Sequence, residues 1–132
     1  MNLEDTTGQI IVCATGIHRV LGPGFYEHIY HRCLLSQLQK TVELVEENYV
    51  IPMWYEGKKI GARKVDFLID HKISVEIKVT GRLEDVDIAK AANYIDASAV
   101  ETGLLINFGS PLLQFRKLEH RKAIFSFIPR SE

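Results

Sequence analysis

Lys64-Val65-Asp66-Phe67-Leu68-Ile69-Asp70-His71-Lys72-Ile73-Ser74-Val75-Glu76-Ile77-Lys78-Val79 holds two alternating runs joined by a short polar link. Alternation of period two marks a β-strand with unlike faces. In the first run Val65, Phe67 and Ile69 share one face, and Asp66, Leu68 and Asp70 the other. In the second, Ile73, Val75, Ile77 and Val79 lie opposite Glu76 and Lys78. The link around Asp70-His71-Lys72 is short enough for a β-hairpin. A hairpin centred on His71 sets Asp66 opposite Glu76, so two carboxylates and a lysine share one face of one sheet.

Two carboxylates held opposite each other repel, and burial raises one of their pKa values. A divalent cation between them removes that cost, and Mg²⁺ takes oxygen ligands while keeping several waters. Lys78, two residues beyond Glu76, points the same way and could activate a water or stabilise charge on a phosphate. Together these parts suit phosphodiester hydrolysis. The same residues also fit a surface hairpin with an exposed Glu/Lys pair, which adds little stability.

The chain of 132 residues predicts a single domain over residues 1–132 with a modest core. Its net charge of −1 carries no global basic signature, so a nucleic-acid partner would need a local patch or a metal-bridged phosphate. Cys13 and Cys33 have no metal-ligand spacing and read as buried free thiols in a reducing cytoplasm. No signal-peptide pattern opens the sequence, and no apolar run approaches the length of a membrane span.

The predicted layout is α-α-β-β-β-α-β-β. Thr6 or Thr7 caps a first helix, stopped by Gly22-Pro23-Gly24. A second helix covers residues 26–40, with Ile29, Cys33 and Leu38 as its apolar stripe and Glu27, Tyr30 and Leu34 on a second line. Strand material spans residues 42–55, turns at Glu56-Gly57-Lys58, and returns over residues 60–70. The third strand ends near Val79, residues 83–99 read as an alanine-rich helix, and residues 103–108 read as a buried central strand. Residues 113–118 and 123–128 fit either an edge strand or partial helix. This alternation gives an α/β sandwich on a mixed sheet.

Gly24-Phe25-Tyr26-Glu27-His28-Ile29-Tyr30 fits the pattern G-x-x-E-x-x-Y. With Asp66, Glu76-Ile77-Lys78, Asn93-Tyr94 and Gly103-Leu104-Leu105-Ile106-Asn107-Phe108-Gly109, the chain resembles the GxxExxY family of the PD-(D/E)XK nuclease superfamily. The resemblance covers nearly the whole chain. It implies a restriction-endonuclease-like fold, a mixed β-sheet flanked by α-helices. It also implies that Asp66 and Glu76 bind Mg²⁺ or Mn²⁺, with the backbone carbonyl of Ile77 as a further ligand. Lys78 would be the catalytic lysine, and Glu27 would approach the same site to hold a second metal or a water. One position departs from the pattern: Lys90 stands where the family usually has glutamine. Lysine offers donors and charge only. It could hold the scissile phosphate, or it could pair with Glu76 or Asp66 and disable the site.

The expected activity is metal-dependent cleavage of DNA, or less readily RNA, by a cytoplasmic protein that could act as a homodimer. The rival is an inactive nuclease-fold module that binds nucleic acid or a protein. A metal-dependent hydrolase of small phosphate esters is a third, weaker reading. Other residues carry competing readings. Tyr30 reads as a core tyrosine, Asp70 as a turn residue, and Tyr94 as packing or cleft lining. His31 can meet Glu27 one helical turn away, as an ion pair or a metal site. Trp54 and Tyr55, with Lys58, Lys59, Arg63 and Lys64, could form a basic aromatic patch or a plain solvated hairpin. Arg116, Lys117, Arg121 and Lys122 make a second basic cluster, most simply solvated surface.

Overall fold

The computed structural model describes residues 2–121, so residues 123–128 and Lys122 lie outside the described residues. Two helices, α1 (Leu3–Leu21) and α2 (Glu27–Thr41), precede strands β1 (Val45–Tyr55), β2 (Lys58–Ile69) and β3 (Ile73–Lys78). Helix α3 (Asp85–Asp96) then crosses to β4 (Thr102–Asn107), and β5 (Gln114–Glu119) follows. The five strands form one sheet in chain order, antiparallel except for the parallel pair β3–β4. This is the expected mixed sheet flanked by helices, consistent with a restriction-endonuclease-like α/β fold.

The sheet separates two packed layers. On one face Ile10, Ala14 and Ile17 of α1 and Tyr30, Leu34 and Leu38 of α2 cover Phe67, Val75, Ile77 and Ile106. On the other, Ile95 of α3 meets Ile51, Val65 and Leu68. The apolar stripe of α2 therefore runs through Tyr30, Leu34 and Leu38, not through Ile29 and Cys33, which are only half-buried. Spacing of four residues keeps the three on one helical face. Tyr30 is fully buried, stacks on Phe108 at 4.6 Å, and hydrogen-bonds at its hydroxyl to Gly22 and Phe25. That network ties the Gly22–Gly24 turn to the core.

Helix boundaries differ from expectation for local reasons. Asn2, not Thr6 or Thr7, caps α1: its Oδ1 accepts from the Asp5 amide at 2.8 Å. The two threonine hydroxyls lie inside the helix and donate to the Asn2 and Glu4 carbonyls. Helix α3 begins later than predicted because Glu84 and Asp87 form a capping box.

The β2–β3 hairpin has the predicted register, pairing Phe67 with Val75, Leu68 with Ser74 and Ile69 with Ile73. Three residues, Asp70 to Lys72, join the strands; Asp70 and His71 both take positive φ, and the Lys72 amide closes the turn on the Ile69 carbonyl at 2.9 Å. Beyond Phe67 the ladder opens, so Asp66 and Glu76 are not the directly opposed pair that the hairpin predicts. The predicted alternation also fails there: Val65 packs on the α3 face, whereas Phe67 and Ile69 pack toward α1 and α2. The reversal falls at Asp66 on β2. Across the β1–β2 ladder it falls at Asn48, which has φ 52° and sits between the Glu47–Phe67 and Tyr49–Val65 pairs. A left-handed residue inside a strand bends it locally. The bend places Asp66 at the fork where β2 leaves β3.

Strand β4 is buried at every residue, and Asn107 closes its end. The Asn107 side chain accepts from the amides of Thr80 and Gly109 and donates to the Thr80 carbonyl and Gln114. Gly109 must lack a side chain, since a Cβ there would lie 2.4 Å from the Thr80 nitrogen. These contacts fix the segment that leaves β3 just after Lys78.

Candidate active site

The fork of β2 and β3 gathers the charged groups. Asp66 is held on both sides. Its Oδ2 accepts from the backbone amide of Ile77 at 2.7 Å, so the carboxylate reaches β3 directly where the ladder has opened. Its Oδ1 lies 2.8 Å from His31 Nδ1, on α2. His31 Nε2 in turn lies 2.9 Å from Glu47 on β1. A carboxylate offers only acceptors, so these two contacts favour the doubly protonated ring, the imidazolium. It stacks on Phe67 with centroids 4.5 Å apart. Burial pulls the His31 pKa down, but the hydrogen bonds and charges of Glu47 and Asp66 outweigh this and raise it above the ordinary value. His31 thus joins Asp66 and Glu47 rather than pairing with Glu27.

Glu76 lies on the α3 side of the same sheet. Its partner is the Nε of Arg63, on β2, whose guanidinium sits 4.2 Å from the centre of the Tyr94 ring on α3. The pair lines a small pocket together with Ser74, Ala91 and Tyr94. Lys90 is exposed on α3 and makes no ion pair among the described residues. The guanidinium of Arg63 therefore takes the place at Glu76 that one reading of the sequence gave to Lys90.

Glu27 is the first residue of α2, where negative charge is favoured. The residue is exposed, but the surrounding chain partly shields its carboxyl. That desolvation and the charge of Asp66 raise its pKa; Lys78 and His31 oppose the rise, and Glu76 adds to it. Its carboxyl thus lies within electrostatic reach of all four groups. Asp66 and Glu27 line an open cleft of about 710 Å³ together with His31, Glu47, Arg32 and Lys64. Lys78 is half-buried on β3.

Sequence reasoning gathered Asp66, Glu76, Lys78 and Glu27 but missed Glu47 and gave Arg63 only to a surface patch. His31 carried a signal, being one turn after Glu27, but its partners come from strands distant in sequence. Arg63 lies in the arm of β1–β2 beyond the fork, and only the bend at Asp66 turns it toward Glu76.

A family model of the PD-(D/E)XK nuclease superfamily matches residues 4–120. The chain belongs to the PD-(D/E)XK nuclease superfamily. Among solved structures, the protein titled "Crystal structure of SSO0001" is similar in fold, with a TM-score of 0.52 and 16% sequence identity. The match covers 76% of this chain and 52% of the other, so the chain spans about half the length of that protein. No curated protein matches the sequence.

Members of the superfamily usually use divalent metals. Among the described residues no three His, Cys, Asp or Glu side chains stand together as a ready-made cage. The donors at the fork nonetheless suit a hard cation. They are carboxylate oxygens, each with spare lone pairs beyond its present hydrogen bond, and Mg²⁺ needs only one or two carboxylates alongside water and phosphate. Burial first, and then the charge of Asp66, raise the Glu27 pKa against the opposing charges of Lys78 and His31, and a cation beside these carboxylates would lower it. Among the described residues no helix is long and apolar enough to cross a membrane.

Proposed function

We propose that this protein is a metal-dependent nuclease that hydrolyses phosphodiester bonds in DNA. The observation that carries the reading is Asp66 lodged at the opened β2–β3 fork, its Oδ2 on the backbone amide between Glu76 and Lys78, with Glu27 lining the same cleft. In this reading Asp66 and Glu76 hold Mg²⁺ or Mn²⁺, the Ile77 carbonyl adds a further oxygen, and Glu27 holds a second metal or a water. The cation supplies Lewis acidity at the phosphate and a nucleophilic water at neutral pH. The chain's own contribution is orientation. The Ile77 amide and His31 fix the direction of Asp66. Lys78 donates to the attacking water and stabilises charge that grows on the phosphate. Lys90, exposed on the helix that carries Tyr94, contacts a phosphate of the bound strand. The G-x-x-E-x-x-Y segment supports placement within the GxxExxY family. The free thiols of Cys13 and Cys33, half-buried, fit a cytoplasmic protein, and pairing of two copies would allow both strands to be cut.

A second reading has its own support. Arg63 on Glu76 and His31 on Asp66 already neutralise both carboxylates without a metal. That is the arrangement of a retired nuclease fold that binds nucleic acid or a protein partner. A cleavage assay on plasmid and short duplex DNA with Mg²⁺ or Mn²⁺ separates the two. The nuclease reading expects cleavage that Asp66→Ala and Lys78→Ala each abolish. Equal rates for wild type and both variants would remove it.

A further inference from the structure

We infer that the open cleft beside Asp66 receives an unpaired nucleotide, with its base stacked on Tyr26, so that the preferred substrate is single-stranded DNA or a single-stranded end. The inference rests on the nuclease reading for the choice of ligand and deepens it by naming the substrate form.

Tyr26 is 79% exposed, and a lone exposed tyrosine needs no explanation. Its surroundings single it out. It lines the cleft that Asp66 and Glu27 also line. Its ring lies 6.2 Å from that of His28 with only 14° between the planes, so two flat rings stand nearly parallel on the same wall. Tyr26 makes no side-chain cap for α2, so its exposed ring is not needed to start the helix. Because it immediately precedes Glu27, its distance from the carboxylates is set by the first turn of a helix packed on the core.

Two cations complete the wall. Arg32 and Lys64 line the same cleft, are exposed, and make no ion pair among the described residues. They stand beside carboxylates that would otherwise repel a phosphate backbone, two of which, Asp66 and Glu47, are already bridged by His31. Flat aromatic faces next to backbone-binding cations make a stacking platform for a single strand. A duplex cannot use such a platform along its length, because its bases present only edges in the grooves and keep their faces stacked. The cleft volume of about 710 Å³ also falls within the range of small-ligand pockets.

Fluorescence anisotropy tests this, using a labelled single strand of about 12 nucleotides and a blunt duplex of the same sequence. Both are measured against the Lys78→Ala protein in Mg²⁺, so that the probe survives. The single strand is expected to bind more tightly than the duplex. Tyr26→Ala should weaken the single strand by roughly 5- to 100-fold and leave the duplex unchanged, while Tyr26→Phe retains affinity. A loss of folding is excluded if Tyr26→Ala keeps the wild-type circular dichroism and melting temperature. Equal affinity for both probes, or no effect of Tyr26→Ala, overturns the inference. The outcome is independent of cleavage. Tight, Tyr26-dependent single-strand binding by a wild type that cuts nothing would remove the nuclease reading alone. Cutting of duplex with no single-strand preference would remove this inference alone.

Discussion

Asp66 and Glu76 leave the same fork of one sheet into different surroundings. Asp66 opens onto a wide cleft, fixed by a backbone amide and by an imidazolium that Glu47 shares. Glu76 sits in a small pocket under α3, paired with an arginine that itself rests on Tyr94. The partners differ in kind. An amide and a histidine shared with another acid orient a carboxylate and leave it lone pairs to spare. A guanidinium set against one carboxylate supplies a full positive charge at the place a cation would use. One side of the fork is thus prepared for a ligand, and the other is provisionally neutralised by the protein.

The largest expected effect tests whether both sides serve one metal. Calorimetric titration of Mn²⁺ into the protein should give binding that Glu76→Ala and Asp66→Ala each weaken by more than about 100-fold, beyond the range typical of supporting residues. If only Asp66→Ala matters, the cation belongs to the open cleft alone and Arg63 holds Glu76 permanently.

The partners themselves should act in opposite directions. His31→Gln removes a support of Asp66 and should weaken Mn²⁺ binding by about 10-fold or more. Arg63→Ala removes a competitor at Glu76 and should strengthen it by up to about 10-fold, allowing for the partial exposure of both groups. A loss in both variants would mean that Arg63 orients Glu76, as His31 orients Asp66, and the contrast would vanish.

The two halves of the comparison were unequally legible in the sequence. The register of β2–β3, the turn at Asp70-His71 and the helix that begins at Glu27 follow from alternation, turn chemistry and helical spacing, all of them local. The break at Asp66 does not. It depends on Asn48, a residue of the neighbouring strand with positive φ, and no local pattern announces that two paired strands reverse their facing together. The same break hides Arg63, which strict alternation groups with Phe67 and Ile69 of the α1–α2 layer, although it faces α3. Lys90 shows the converse error. A substitution away from a family pattern drew attention to a residue that proves exposed, while the charge that meets Glu76 comes from a strand.

A third test uses pH on the cation-free protein. The raised pKa of His31 means that the folded chain binds this proton more tightly than the unfolded chain, whose value is near 6.5. Its stabilisation is complete below that value and is lost as pH climbs through the raised folded value. Thermal melts in chelator should therefore show stability falling on the alkaline side of 6.5, and His31→Gln should flatten that part of the profile. A guanidinium stays charged across this range, so Arg63→Ala should leave the shape of the profile there unchanged. An unchanged profile in His31→Gln would show that the imidazolium does not carry the Asp66 side.

The smallest expected effect concerns Lys90. Exposed and without an ion pair among the described residues, it competes for neither carboxylate in the resting protein. Replacing it with glutamine, the residue that the GxxExxY resemblance would place there, should change Mn²⁺ affinity by less than about threefold, as for other surface positions. A contact to substrate phosphate would be visible separately, as a weaker salt dependence of DNA binding in Lys90→Gln. A large gain in Mn²⁺ affinity would instead place the Lys90 ammonium at the carboxylates in solution. It would then be Lys90, rather than Arg63, that makes the Glu76 side differ from the Asp66 side.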